Sequence, residues 1–163
     1  MILIELLRLY LETTVFNYYF DVHLDGHEDV VRLFEAIGAG RFEGYTSDYV
    51  MNELMDAKEP KRSKMMALVG AYNVTTLPIT AEVMHLAELY VTAQIISASH
   101  FYDSVHIAAT TAYELDCIIS YNFRHINRDK TKFLTASANQ EEGYASINIC
   151  TAGEVLRYAR GIS

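Results

Sequence analysis

The stretch "RLYLE" at positions 8–12 is an apolar run that ends on an acid, Glu12, followed by Thr13 and Thr14. A lone carboxylate at the end of a buried strand is costly unless it is paired or coordinated. Glu12 therefore either reaches water or has positive charge beside it. Other oxygen-bearing side chains stand at comparable points of the chain: Glu53 in "SDYVMNEL", Asp103 in "YDSVHIAA" and Asn122 directly after "CIISY". Carboxylates converging on one cleft repel or stay protonated unless a cation joins them. With an amide oxygen they suit a hard divalent ion such as magnesium, which uses few protein carboxylates, several waters and a substrate phosphate. Such an ion activates water and stabilises charge during in-line attack on a phosphodiester. Taken singly, each residue also has an ordinary use. Glu12 can pair with an arginine, Glu53 can be an exposed helix acid, Asp103 complements a helix dipole and Asn122 is a good N-cap.

The elements that would have to position these residues alternate along the chain. Strand patterns occur at "RLYLE", "FEGYTS", "NVTTLPI", "DCIIS" and "SINIC". Helical spacing places Val30, Leu33, Phe34 and Ile37 on one face, then Val50, Met51, Leu54 and Met55 on another. "KEPKRSK" reads as a solvated turn before a helix in "MMALVGAY". A long helix follows Thr80, another runs through "SHFYDSVHIAATTAYEL", and Thr151 and Glu154 form a capping box before "EVLRYA". No element is assigned between "DCIIS" and "SINIC". Strands alternating with helices predict an α/β domain with a mostly parallel sheet, whose sites form outside the carboxyl ends of the strands. Glu12 and Asn122 fall there.

The 163 residues carry a net charge of −8 and are 51% hydrophobic, which suits one domain spanning 1–163 and excludes a broad basic nucleic-acid groove. Cys117 and Cys150 each sit in an apolar run and read as strand-core thiols, with no disulfide framework or zinc spacing. The apolar stretch at the N-terminus contains Glu5 and Arg8 and is too short for a membrane span, so a cytoplasmic protein is expected. The first seven residues read as an extension ahead of the first strand.

The motifs resemble those of the PIN-domain nucleases, and within them the VapC-type toxins. "LYLETTVFNYYF" is similar to the opening strand with its acid and hydroxyl residues, "TSDYVMNEL" to the second motif, "YDSVHIAA" to the third and "IISYNFRHI" to the fourth. "INICTAGEVL" resembles the last strand and turn, with Ala152 where proline is usual. The resemblance implies a PIN-like (Rossmann-like) three-layer sandwich with a mostly parallel central sheet. It also implies a ribonuclease dependent on Mg2+ or Mn2+, a homodimer and a small antitoxin partner. By matching position, Glu12, Glu53, Asp103 and Asn122 would be the catalytic and metal-binding set, with Thr13 as the supporting hydroxyl. Two departures stand out: Glu12 replaces the usual Asp, and Asn122 leaves three formal charges instead of four. An amide oxygen can still bind a metal or orient water. The neutral Asn122 also keeps a second reading open, a non-catalytic PIN-like module that binds RNA or protein. A nucleotide-binding Rossmann enzyme would need a glycine-rich loop after the first strand, and "ETTVFN" has none.

Other residues have two readings each. His106 is a general-base candidate, with a structural histidine the favoured alternative. Arg124 and His125 are candidates for RNA phosphates or for plain solvation. Phe16, Tyr18, Tyr19 and Phe20 read as core plus a patch covered by a partner. Lys58, Lys61, Arg62 and Lys64 make the one dense basic patch.

Overall fold

The computed structural model describes residues 5–161. Five strands form one sheet: β1 (Arg8–Leu11), β2 (Glu43–Ser47), β3 (Thr75–Leu77), β4 (Cys117–Ile119) and β5 (Asn148–Cys150). The order is β3-β2-β1-β4-β5 and every pair is parallel. Leu9, Tyr10 and Leu11 of the central strand are fully buried, as are Ile118 and Ile119 of β4. This is why both strands read as unbroken apolar runs: helices cover both faces of a parallel sheet.

Between β1 and β2 lie α1 (Thr13–Phe20) and α2 (His27–Gly38); α3 (Asp48–Leu54) and α4 (Lys61–Ala71) join β2 to β3. α5 (Ala81–Thr92) and α6 (Phe101–Ala112) precede β4, α7 (Asp129–Glu141) precedes β5, and α8 (Ala152–Gly161) follows it. α6 is buried at every position from Ser104 to Thr111, packed along α5. Ala108, Ala109 and Thr110 keep that helix thin enough for close packing. Its polar groups are satisfied internally, with the Ser104 hydroxyl donating to the Ala87 carbonyl at 2.6 Å.

Three differences from the sequence reading have physical causes. α4 begins at Lys61, inside the segment expected to be a turn, because Glu59 caps it through the Ser63 hydroxyl at 2.7 Å and backbone N–H at 3.3 Å. Arg62 of that basic patch is paired with Glu59 at 2.9 Å. The aromatic run after Glu12 forms α1, with Phe16 buried and Tyr18, Tyr19 and Phe20 half-buried against the core. Phe16 is buried edge-on to Phe34, Tyr18 stacks on Tyr121 and the Tyr19 hydroxyl bonds that of Tyr72. α7, unassigned in the sequence, buries Thr131, Thr135, Ala138 and Asn139, which carry no apolar stripe. Of the expected N-terminal extension, positions 1–4 lie outside the described residues, and Leu7 packs against the core.

Candidate functional site

The strand order reverses direction between β1 and β4. The crevice at their carboxyl ends is the switch point where open α/β sheets bind ligands. Glu12 follows β1 directly. Its carboxylate is turned back as the N-cap of α1, with Oε2 accepting from the Thr14 N–H at 3.0 Å. Oε1 accepts from the Thr14 hydroxyl at 2.7 Å and from the Ser120 hydroxyl just past β4. Both hydroxyls also accept backbone N–H groups of the loop after β4, Thr14 from Tyr121 at 2.8 Å and Ser120 from Asn122 at 3.0 Å. The two strand ends are thus laced together through one carboxylate that is only 3% exposed.

The hydroxyl bonded to Glu12 is that of Thr14, where the resemblance implies Thr13. A capping side chain reaches the amide and hydroxyl two positions ahead, so the neighbouring Thr13 is passed over. The buried Thr13 Oγ1 has no hydrogen-bond partner among the described residues.

No Lys or Arg pairs with Glu12 among the described ion pairs; the positive group beside it is His106. This fully buried ring lies on α6, one turn after Asp103. Its Nε2 bonds Glu53, which projects from α3 and is about 29% exposed. Its Nδ1 bonds the buried Tyr10 hydroxyl at 2.7 Å, and that hydroxyl bonds Ser47 Oγ at 2.7 Å. Ser47 in turn caps α3, accepting the Val50 N–H at 3.3 Å. A polar chain from β1 through α6 therefore holds the helix that carries Glu53. Asp103 feels the charges of both His106 and Glu53, and the Asn122 side chain lies beside it and favours its charged form. Glu12, Glu53 and Asp103 come together around His106. The Asn122 Oδ1 accepts the His125 N–H at 3.0 Å, the turn-bracing bond that asparagine favours.

Burial pushes the Glu12 carboxyl above its ordinary range, against the pull of His106 and the hydrogen bonds from Ser120 and Thr14. Burial also raises Asp103, and Glu53 adds to it, while His106, His100 and Asn122 pull the other way. For His106 burial disfavours the charged ring, but the bond and charge of Glu53, with Glu12 and Asp103, outweigh it and raise its pKa. All three groups hold protons more tightly folded than unfolded. Stability from them is therefore fully present below the unfolded values, about 4 for the carboxyls and 6.5 for the imidazole, and is lost as pH rises through the folded ones. Glu12→Gln isolates one contribution. In EDTA its melting temperature relative to wild type should climb as pH rises above the unfolded carboxyl value of about 4. A difference that does not change with pH would show that burial of the Glu12 charge is not a destabilising feature.

The oxygen donors are of the type a hard divalent cation takes, although the ligand atoms of Glu12, Glu53 and Asp103 do not all lie within 4.8 Å of one another. A carboxylate has about four acceptor positions, and the bonds above leave Glu12 one of them and Glu53 and Asp103 more. Raised proton affinity on Glu12 and Asp103 comes first from burial, with repulsion from Glu53 adding to it at Asp103.

No family model matches the sequence, and no curated protein is significantly similar to it. Solved structures do match. VapC20 of Mycobacterium tuberculosis, a toxin that cleaves the sarcin–ricin loop, superposes with a TM-score of 0.52 at 12% identity, covering 85% of this chain and 98% of that one. VapBC2 of Rickettsia felis, solved on a DNA fragment of its promoter, gives 0.55 at 9% identity, covering 88% and 97%. The chain has a PIN-domain fold. The five-strand parallel sheet flanked by helices is that of its neighbours. In this PIN fold the residues that sequence reasoning undervalued are His106, Ser120 and Thr14. His106 was visible as a histidine one turn from an acid in an otherwise apolar helix, and Ser120 as a hydroxyl closing an apolar strand. Of the RNA-contact candidates, Arg124 is exposed and His125 is half-buried, its ring stacked on His100. Among the described residues no helix is long and apolar enough to cross a membrane.

Proposed function

We propose that the chain is a divalent-metal-dependent endoribonuclease, hydrolysing RNA phosphodiester bonds in the cytoplasm as the toxin of a toxin–antitoxin pair. One observation carries the reading: Glu12, Glu53 and Asp103 gather around a buried histidine at the switch point of a PIN fold. When bound, Mg2+ or Mn2+ would supply a Lewis acid for the phosphate and a more acidic water. Glu12, Glu53 and Asp103 would hold it. Thr14 and Ser120 fix the Glu12 carboxylate, and His106 fixes Glu53 through the Tyr10–Ser47 chain. Asn122 lies beside Asp103 and completes the shell through its amide or a water. Arg124 offers charge to a substrate phosphate, and the exposed rings of Tyr102 and Phe123, adjacent in sequence to Asp103 and Asn122, offer stacking surfaces for bases. The likeness to a VapBC complex supports a small antitoxin as partner, and a homodimer is proposed with it, the half-buried Tyr18, Tyr19 and Phe20 of α1 being the part of the aromatic run left for such contacts.

The deciding experiment is cleavage of structured RNA by wild type and Glu12→Gln in magnesium, manganese and EDTA. Cleavage restricted to wild type with metal supports the reading. A folded wild type with no cleavage and no response to metal would favour the non-catalytic module.

Asn122→Asp tests the fourth position. It keeps the bond from the His125 N–H, loses the amide beside Asp103 and adds a like charge. In EDTA the variant should melt lower than wild type, and magnesium should raise its melting temperature more than it raises that of wild type. Equal magnesium-induced rises would leave Asn122 with its turn-bracing role alone.

A further inference from the structure

Beside the acidic cluster lies a group of a different chemical kind. His100 ends a short 3-10 turn (Ala98–His100) ahead of α6, and His125 sits in the loop after β4. Their rings are stacked, with centroids 3.8 Å apart and planes 26° from parallel. A nitrogen of each ring and a carboxylate oxygen of Asp103 all lie within 4.8 Å of one another. Neither imidazole hydrogen-bonds to another described group. The loop bearing His125 is held in place by Asn122, so two of the three donors sit on structured backbone.

We propose that His100, His125 and Asp103 form a second metal site, selective for a nitrogen-preferring divalent transition metal such as Zn2+ or Co2+. Two imidazoles and one carboxylate with the remaining positions open are a common transition-metal ligand set. Magnesium, which demands oxygen, is a poor fit to it. Metal–nitrogen bonds of about 2.0–2.1 Å require donor atoms roughly 3.0–3.5 Å apart. Rotation of the exposed His100 side chain can close the remaining gap. Asp103 has two oxygens, so one can face the histidines while the other faces the cluster around His106. The site shares Asp103 with the proposed ribonuclease centre, but it does not require that centre to bind magnesium. An ion there would put positive charge next to Arg124, on the side where a substrate phosphate would arrive.

Co2+ titration of tag-free protein, read by visible absorption, tests this on wild type, His100→Ala, His125→Ala and Glu12→Gln. Circular dichroism confirms that each variant is folded. Wild type and Glu12→Gln should bind one Co2+ with the spectrum of nitrogen ligation, displaced by Zn2+ and resistant to millimolar Mg2+. Each histidine variant should lose at least tenfold in Co2+ affinity. The proposal is overturned if wild type binds no Co2+, or if affinity is unchanged in both histidine variants. RNA cleavage in magnesium separates the two readings. Cleavage insensitive to Glu12→Gln, with Co2+ binding lost in the histidine variants, removes the ribonuclease centre and leaves this site. Cleavage lost in Glu12→Gln, with Co2+ binding indifferent to the histidines, does the reverse.

Discussion

Asp103→Asn should lower RNA cleavage in magnesium by about 100-fold or more, the effect of losing roughly 3 kcal/mol of transition-state stabilisation from one charged ligand. Its melting temperature in EDTA should stay level or rise. Burial holds the Asp103 carboxyl above its ordinary range, and Glu53 adds repulsion, so the ionised form is a cost to the fold. The amide is nearly isosteric and can still sit beside Asn122. Activity and stability therefore move in opposite directions, which distinguishes a metal ligand from a residue that merely supports the helix start. A variant that cleaves at the wild-type rate would remove Asp103 from the site, and one that is inactive because it is unfolded would show it in the melt.

His106→Ala should be the most destabilising single change at the site. The ring is fully buried, and its removal leaves a cavity, strips the Tyr10 hydroxyl of one partner and frees Glu53. A loss of about 2–4 kcal/mol follows from the cavity and the broken hydrogen bonds, a fall in melting temperature on the order of 10 °C for a chain of this length. A double-mutant cycle with Glu53→Gln should give a coupling of at least about 1 kcal/mol. The coupling should be full below about pH 6.5 and shrink as pH rises through the raised imidazole value, because the charged ring is the form that Glu53 stabilises. A coupling near zero at pH 6 would mean that the His106–Glu53 contact is not a structural link. Cleavage by the His106→Ala variant should also fall, since Glu53 would no longer be held.

Much of this was readable from the chain alone. Apolar runs such as "RLYL" and "CII" announce strands covered on both faces, and helical spacing marks α2, α5 and α6 between them. Alternation of the two kinds specifies a parallel α/β sheet, and the acids sit where such sheets open to solvent. Local pattern reports burial, and burial is what those elements share. It fails where burial is polar or aromatic. α7 hides Thr131 and Asn139 behind hydrogen bonds, and α1 packs aromatics that lack a clean stripe.

The partners within the site were decided only by the tertiary structure. Glu12 could not be known to lean on Ser120, 108 residues away, nor Tyr10 on His106, 96 away, until strand order put β4 beside β1 and α6 behind them. The choice of Thr14 over Thr13 has the same character at short range, since it depends on Glu12 folding back as a cap. Residue type and periodicity state which groups must be satisfied. Which group satisfies which depends on strand order and helix placement, and these set distances that no local window of sequence contains.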